Sequence, residues 1–353
     1  MVVKKMSEIL VQVSRGPLVE NIIRGHIAVV DGQGEILASV GDVDYISYMR
    51  SAAKPLQASA VLEAGAIDAF DINDEQLAVM CGSHIGDDEH VRAVQGTLDK
   101  LGLDENAFTL GPSLSMSNAL RERQLAAGIE PRKIFNNCSG KHSAMLALCR
   151  HSGWDISAYQ RPKHPVQQLI LKTIAAYTDY PADKIIIGVD GCGVPVFALP
   201  LRNMALSYCC LMNPELLPQE RAAAARRITA AIAAHPTMTA GKSQFCSKLA
   251  AATKGRIIGK LGADGVYCLA PAERNLGVAL KIEDGNTAML APVVMRVLEQ
   301  LELLTTAETD ALSRFRSFAN INCRQEQVGE TRAVFELKKP QLIDDDYTPI
   351  INQ

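Results

Sequence analysis

Arg50-Ser51-Ala52-Ala53-Lys54-Pro55-Leu56 sets a hydroxyl and an amine three residues apart where a helix begins. Proline is tolerated in the first turn of a helix and clashes further in, so Pro55 places the helix start close to Ser51. Leu56, Ala60, Val61 and Ala64 follow with helical spacing, and Gly65 is a terminator. This helix is expected to be central and largely buried. On a helix an i, i+3 pair shares one face, which puts Ser51 beside Lys54. A serine hydroxyl attacks only once a base takes its proton, and lysine is that base only when burial or a nearby cation lowers its pKa. The bland alternative is a capping serine, since Ser followed by Lys at i+3 arises by chance about once in a chain of this size.

Outward from this helix the pattern changes on both sides. Before it, Ile9 to Val13 and His26-Ile27-Ala28-Val29-Val30 read as strands, the second turning through Asp31-Gly32-Gln33-Gly34 into Glu35 to Val40. After it, a helical middle from about 55 to 235 is expected, with segments at Asn73 to Val79, Glu89 to Leu101, Ser143 to Cys149, Pro165 to Tyr177 and Pro214 to Ala234. Lys184 to Asp190 reads as a buried strand. Strands return at Arg256 to Gly262, Gly265 to Ala270, Gly277 to Ile282 and Thr331 to Lys338, with a helix at Thr287 to Leu301. This order predicts an α+β fold, one catalytic unit over 1–353, with an antiparallel sheet built from both chain ends and flanked by helices.

At 353 residues, 48% hydrophobic and 21% charged, the chain can bury a large core. A net charge of −3 argues against nucleic acid or a membrane surface as partner and for a small-molecule substrate. Met1 to Glu8 has no apolar run suited to a signal peptide, and no stretch is long enough to span a bilayer. Nine cysteines without framework spacing suit reduced thiols, so a cytoplasmic protein is expected. The tail around Asp344-Asp345-Asp346 reads as a solvated end.

Three loops join Ser51 and Lys54 as chemical candidates. Cys81-Gly82-Ser83-His84 has glycines on both sides of a serine and a histidine, with Gly86 completing it. Asn136-Asn137-Cys138-Ser139-Gly140-Lys141-His142 is small and polar, and Asp190-Gly191-Cys192-Gly193 follows a presumed strand. Lys260-Leu261-Gly262 lies late in the chain. Serine β-lactamases and penicillin-binding proteins carry SxxK, a second serine element and a KTG-like triplet in this order. The physical need is a serine, a lysine base, a second hydroxyl to relay protons and another cation.

The closer resemblance is to the rhizobial-type (class 3) asparaginase family, also called asparaginase II. It rests on the five runs Arg50–Pro55, Cys81–His84, Asn136–His142, Gly188–Pro195 and Lys260–Val266. That family is similar in fold to serine β-lactamases and glutaminases, and hydrolyses the side-chain amide of L-asparagine. The resemblance implies Ser51 as nucleophile with Lys54 as its base, and Ser83 with Lys260 as a second pair. It also implies a zinc ion on Cys138, Lys141 and Cys192, with water as fourth ligand, and a homodimer. By position beside these residues, Arg50, His84, Asp190 and His142 are candidates for substrate binding. Competing functions are the same chemistry on glutamine, a β-lactam-binding serine enzyme, and a non-catalytic metal-binding module. The last has no need of Ser51 or Lys54.

Overall fold

The computed structural model describes residues 6–340 except Glu273. The expectations for Met1–Lys5 and for the tail at Asp344–Asp346 lie outside these residues. The strands are β1 (Glu8–Arg15), β2 (Leu18–Val30), β3 (Ile36–Val40), β4 (Ile46–Tyr48), β5 (Ile186–Val189) and β6 (Pro195–Pro200). They continue as β7 (Ile257–Gly262), β8 (Val266–Pro271), β9 (Gly277–Ile282), β10 (Ser317–Ile321) and β11 (Gln327–Ala333). Seven run in the order β10-β11-β1-β2-β9-β8-β7, and β3 joins β2 as the eighth strand of the sheet. Every pairing is antiparallel, and β1 lies between β2 and β11, so both chain ends build one sheet.

Strand side chains alternate between faces, and here both faces are apolar. In β2, Ala28 and Val30 enter one core while Ile27 and Val29 enter the other. In β8, Val266, Cys268 and Ala270 face the first core, Tyr267 and Leu269 the second. The first core lies under the helical middle and includes the buried helix Lys54–Glu63. The second is covered by the helices Phe245–Ala252 and Leu290–Gln300. The fold is therefore α+β, an antiparallel sheet between helical layers.

Several elements differ from the sequence expectation. The strand expected to be buried after Lys184 is β5, and its Ile186, Ile187 and Val189 are exposed. It is the edge of a separate sheet ordered β4-β6-β5. An apolar run alone does not distinguish an edge from a core strand. The helix expected from Ser143 begins at Ser139, so Lys141 and His142 sit on helix rather than loop. The last strand spans Gln327–Ala333, shifted from the expected Thr331 to Lys338, and β10 pairs with it. Leu201–Met212 forms a helix that no periodicity had marked. Among the described residues, no helix is long and apolar enough to cross a membrane.

Candidate active site

Arg50–Ala53 forms a 3₁₀ turn that runs into the helix Lys54–Glu63, with Pro55 in its first turn. Residues i and i+3 of such a turn eclipse, so Ser51 and Lys54 lie on one side. Lys54 is fully buried, and its Nζ donates to the carbonyl of Gly82 at 2.7 Å, Ser83 Oγ at 2.9 Å and the carbonyl of Asn137 at 3.2 Å. None of these partners is Ser51, which stays half-buried at the start of the turn. Arg50, immediately before it, holds a left-handed φ of 50°. Such backbone costs about 1–3 kcal/mol for a non-glycine residue and tends to occur at functional sites.

Ser83 reaches Lys54 because Gly82 lets the chain press against the Met238–Thr239 backbone. A Cβ on Gly82 would stand 2.7 Å from the Met238 carbonyl oxygen. The Ser83 N–H then donates to the Thr239 carbonyl at 2.8 Å. From the opposite side the edge strand β7 brings Lys260, whose Nζ donates to Ser83 Oγ at 3.2 Å and to the Leu261 carbonyl at 2.7 Å. Gly262 is what lets β7 pass so close to the Ser51 turn, since a Cβ there would meet the Met49 carbonyl at 2.6 Å. The Ser83 hydroxyl is thus held between two buried amines.

Burial shifts both amines toward the neutral form. It holds Lys260 down to about 8, helped by the charge of Lys54 and opposed by nearby cysteines. Burial also lowers Lys54, with Lys141 adding to the effect and the Cys138 and Cys192 thiols opposing it. A neutral lysine has a lone pair with which to take the serine proton.

Next to Lys54 lie the residues expected to hold zinc. Cys138 is the N-cap of the helix Ser139–Ser152, Lys141 is in its first turn, and Cys192 is in the turn between β5 and β6. Lys141 Nζ is 3.0 Å from Cys192 Sγ, and Asp190 Oδ2 is 3.8 Å from that sulfur and 3.7 Å from Lys141 Nζ. A hydrogen bond between the two sulfurs lowers the pKa of Cys138 and raises that of Cys192, so the pair favours one thiolate and one thiol. Burial opposes the charge on Lys141, yet the two cysteines and Asp190 raise its pKa overall. Among the described residues no three His, Cys, Asp or Glu side chains form a metal group by themselves. The lysine amine is needed, and once Lys141 and Cys192 give up their protons to the metal, two sulfurs with one nitrogen, backed by a carboxylate, fit a tetrahedral zinc with one open position.

The expected substrate-binding residues divide into two groups. Arg50 Nε pairs with Asp190 Oδ1 at 2.9 Å, and its Nη1 pairs with Asp264. Burial raises the Asp190 pKa, but Lys141 and Arg50 outweigh it and keep the carboxylate charged. These charges remain partly open at the site. His84 is fully buried, with Nε2 bonded to Ser139 Oγ at 2.8 Å and Nδ1 accepting from the Gly86 N–H at 3.1 Å. His142 is fully buried too, with Nδ1 bonded to the Tyr159 hydroxyl at 2.6 Å. Burial drives both rings well below the usual histidine range, so they are neutral. They stand behind the site. Asp264 was not singled out from sequence, although it lies in the Lys260–Val266 run, two residues past Gly262. Asn137 was also missed, and the signal for it was its place inside the Asn136–His142 run.

A serine and two lysines carried by a loop, a helix start and an edge strand, on helices packed against an antiparallel sheet, make this an α+β protein with a buried Ser-Lys cluster. Residues 11–333 match the family of L-asparaginase II, and the chain belongs to that family. Among solved structures, the β-lactamase Mb2281c from Mycobacterium bovis is similar at 14% identity and TM-score 0.40, over 78% of this chain and 94% of that one. A Bacillus glutaminase is similar at 11% identity and TM-score 0.38, over 79% and 91%. Mglu, in its tris and glutamate form, is similar at 16% identity and TM-score 0.36, over 79% of this chain and 59% of its own. This chain therefore spans less than two thirds of the Mglu chain. No curated protein matches it.

Proposed function

We propose that this hydrolase-family chain cleaves the side-chain amide of L-asparagine to aspartate and ammonia through a serine ester. The observation that carries the proposal is the Ser83 hydroxyl, 2.9 Å from Lys54 and 3.2 Å from Lys260. In this scheme a neutral amine takes the Ser83 proton as Oγ adds to the carboxamide carbon. The leaving nitrogen takes that proton back from the amine and departs as ammonia, and water then hydrolyses the ester. Arg50 and Asp190 present one cation and one anion for the α-carboxylate and α-ammonium of the substrate.

A second reading makes Ser51 the nucleophile. The left-handed Arg50 before it and the i, i+3 relation to Lys54 favour this, and Ser83 would then relay the proton. A diazoketone analogue of asparagine, which alkylates the attacking oxygen, separates the two when the labelled peptide is mapped. Label on Ser83 supports the first reading and label on Ser51 the second. Active enzyme that takes up label on neither serine removes the covalent mechanism.

Zinc would be held by Cys138, Cys192 and Lys141, and when bound would order the substrate pocket beside Asp190. The proposed enzyme is a cytoplasmic homodimer. The small sheet, whose two edge strands expose Ile46 and Tyr48 on β4 and Ile186, Ile187 and Val189 on β5, supports self-association. Light scattering tests this, and a monomer at working concentration would exclude it.

A further inference from the structure

A cavity of about 440 Å³ opens from Ser83, Asn137 and Lys260 and continues away from the charged cluster. Its size lies within the roughly 300–1,000 Å³ of pockets that hold drug-sized ligands. Ammonia fills a small corner of such a space. Beyond the polar end its walls are mainly apolar, with Met116, Phe245, Leu261, Leu290, Phe315 and Phe318 among them. Tyr267 also lines it, fully buried, and its hydroxyl has only the Cys246 thiol beside it. With Ser243, Gln244 and Thr287 it supplies a few polar groups in a mainly apolar wall, a common arrangement in pockets that orient an organic ligand.

The site therefore has two parts. The charges that suit an amino acid, Arg50, Asp190 and Lys141, are linked through Asp190 and lie outside the cavity wall. The amine on the cavity side is Lys260. A tetrahedral intermediate on Ser83 with its amino-acid end toward Arg50 and Asp190 turns its nitrogen toward Lys260 and the cavity. We propose that this cavity is a leaving-group site, and that the enzyme hydrolyses asparagine derivatives whose side-chain amide nitrogen carries an apolar or aromatic substituent. The proposal rests on the asparagine-directed serine mechanism above. Ser83 Oγ bonds to the carbonyl carbon and gives its proton to neutral Lys260. The C–N bond breaks as the nitrogen takes that proton from Lys260, releasing a primary amine. Water then cleaves the ester to aspartate.

The test compares L-asparagine with its N4-phenyl derivative on the full-length enzyme, following ammonia and aniline release. Burial of the ring in the cavity is expected to lower KM by ~10-fold or more relative to asparagine. Ala288, exposed on the 3₁₀ turn Thr287–Met289 at the cavity wall, is the place to narrow it. Ala288→Phe is expected to lower the ratio of kcat/KM for the anilide over asparagine by ~10-fold or more. Normal ammonia release from asparagine without aniline release from the anilide overturns the leaving-group site and leaves the serine mechanism intact. An Ala288→Phe enzyme whose ratio is unchanged also overturns it. Failure to turn over either amide overturns both proposals.

Discussion

Lys54 Nζ lies 2.9 Å from Ser83 Oγ, so the amine that follows Ser51 by one turn hydrogen-bonds a serine 29 residues away. The ammonium of a buried lysine has three protons to place, and the carbonyls of Gly82 and Asn137 take the other two. That leaves the third direction for a hydroxyl. Neutral Lys54 can accept a proton along the line where charged Lys54 donates one.

Ser83→Ala should lower kcat by ~10³-fold or more, and Lys54→Met should be nearly as damaging, as for members of other catalytic units. Ser83→Ala leaves the Ser51–Lys54 motif intact. Steady-state rates checked alongside far-UV circular dichroism decide the matter. A Ser83→Ala enzyme within about tenfold of wild type would take Ser83 out of the chemistry and return the nucleophile to Ser51.

The pH profile follows from Lys260, whose pKa burial lowers to about 8. A base works in its neutral form, so kcat/KM should rise as pH climbs through about 8. Lys260→Arg stays charged at all working pH and should lose the activity with that limb. The same shift affects stability. A folded pKa below the ordinary lysine value of 10.5 means the unfolded chain binds more protons, so this group makes stability rise between about pH 8 and 10.5. A kcat/KM profile that is flat through this range would exclude Lys260 as base.

Much of this site was legible in the chain because its motifs are local. Ser51, Lys54, Ser83 and Lys260 were each found from their immediate neighbours, and the structure gathers the last three around one oxygen. Their partnering was not legible, because it is set by how a loop, a helix start and an edge strand pack. Gly82 explains why: its role is to meet Thr239, which is remote in sequence. His84 shows the opposite limit. A histidine after a serine in a Gly-flanked loop looks functional, but here the ring turns inward to Ser139. The sheet was legible from period-2 apolar runs, whereas β4 and β10 are short and half-exposed and carry little such signal.

Asparagine should be preferred over glutamine. The Arg50–Asp190 pair is largely buried and fixed, so the amino-acid end of the substrate cannot slide to compensate for an added methylene. Displacement of a reacting carbon by about 1 Å commonly costs ~10²-fold, and a ratio of that order in kcat/KM is expected. Side-by-side ammonia release measures it, and equal values would favour the glutaminase alternative.

Cys138→Ala should abolish zinc binding and weaken substrate binding more than it slows acylation. Elemental analysis of protein purified without chelator gives the metal content, expected at one zinc per chain for wild type and none for the variant. Wild-type protein free of zinc would remove the metal from the proposal.

Gly262→Ala should destabilise the fold and lower activity together, because the new Cβ would sit 2.6 Å from the Met49 carbonyl. Overpacking of this kind costs about 1–3 kcal/mol, and β7 can relieve it only by moving Lys260 away from Ser83. Thermal melting and kcat measured on one preparation check both effects. A variant with unchanged melting temperature would show that the turn before Ser51 yields easily.

The placement of β1 between β2 and β11 affects how the protein is made. Val11 pairs with Ile23 nearby and with Ala333 near the other end of the described chain. Similarly, β2 waits for β9, pairing Ile27 with Leu280. During synthesis the first strands emerge with their long edges open, and no early-translated partner can close them. Pairing across such separations is slow compared with local helix formation. A nascent chain lacking its last strands should thus depend on chaperones to shield the β1–β2 hairpin. Lys260, the second of the two amines beside Ser83, is itself translated after the whole helical middle, so the Ser83 site is completed late.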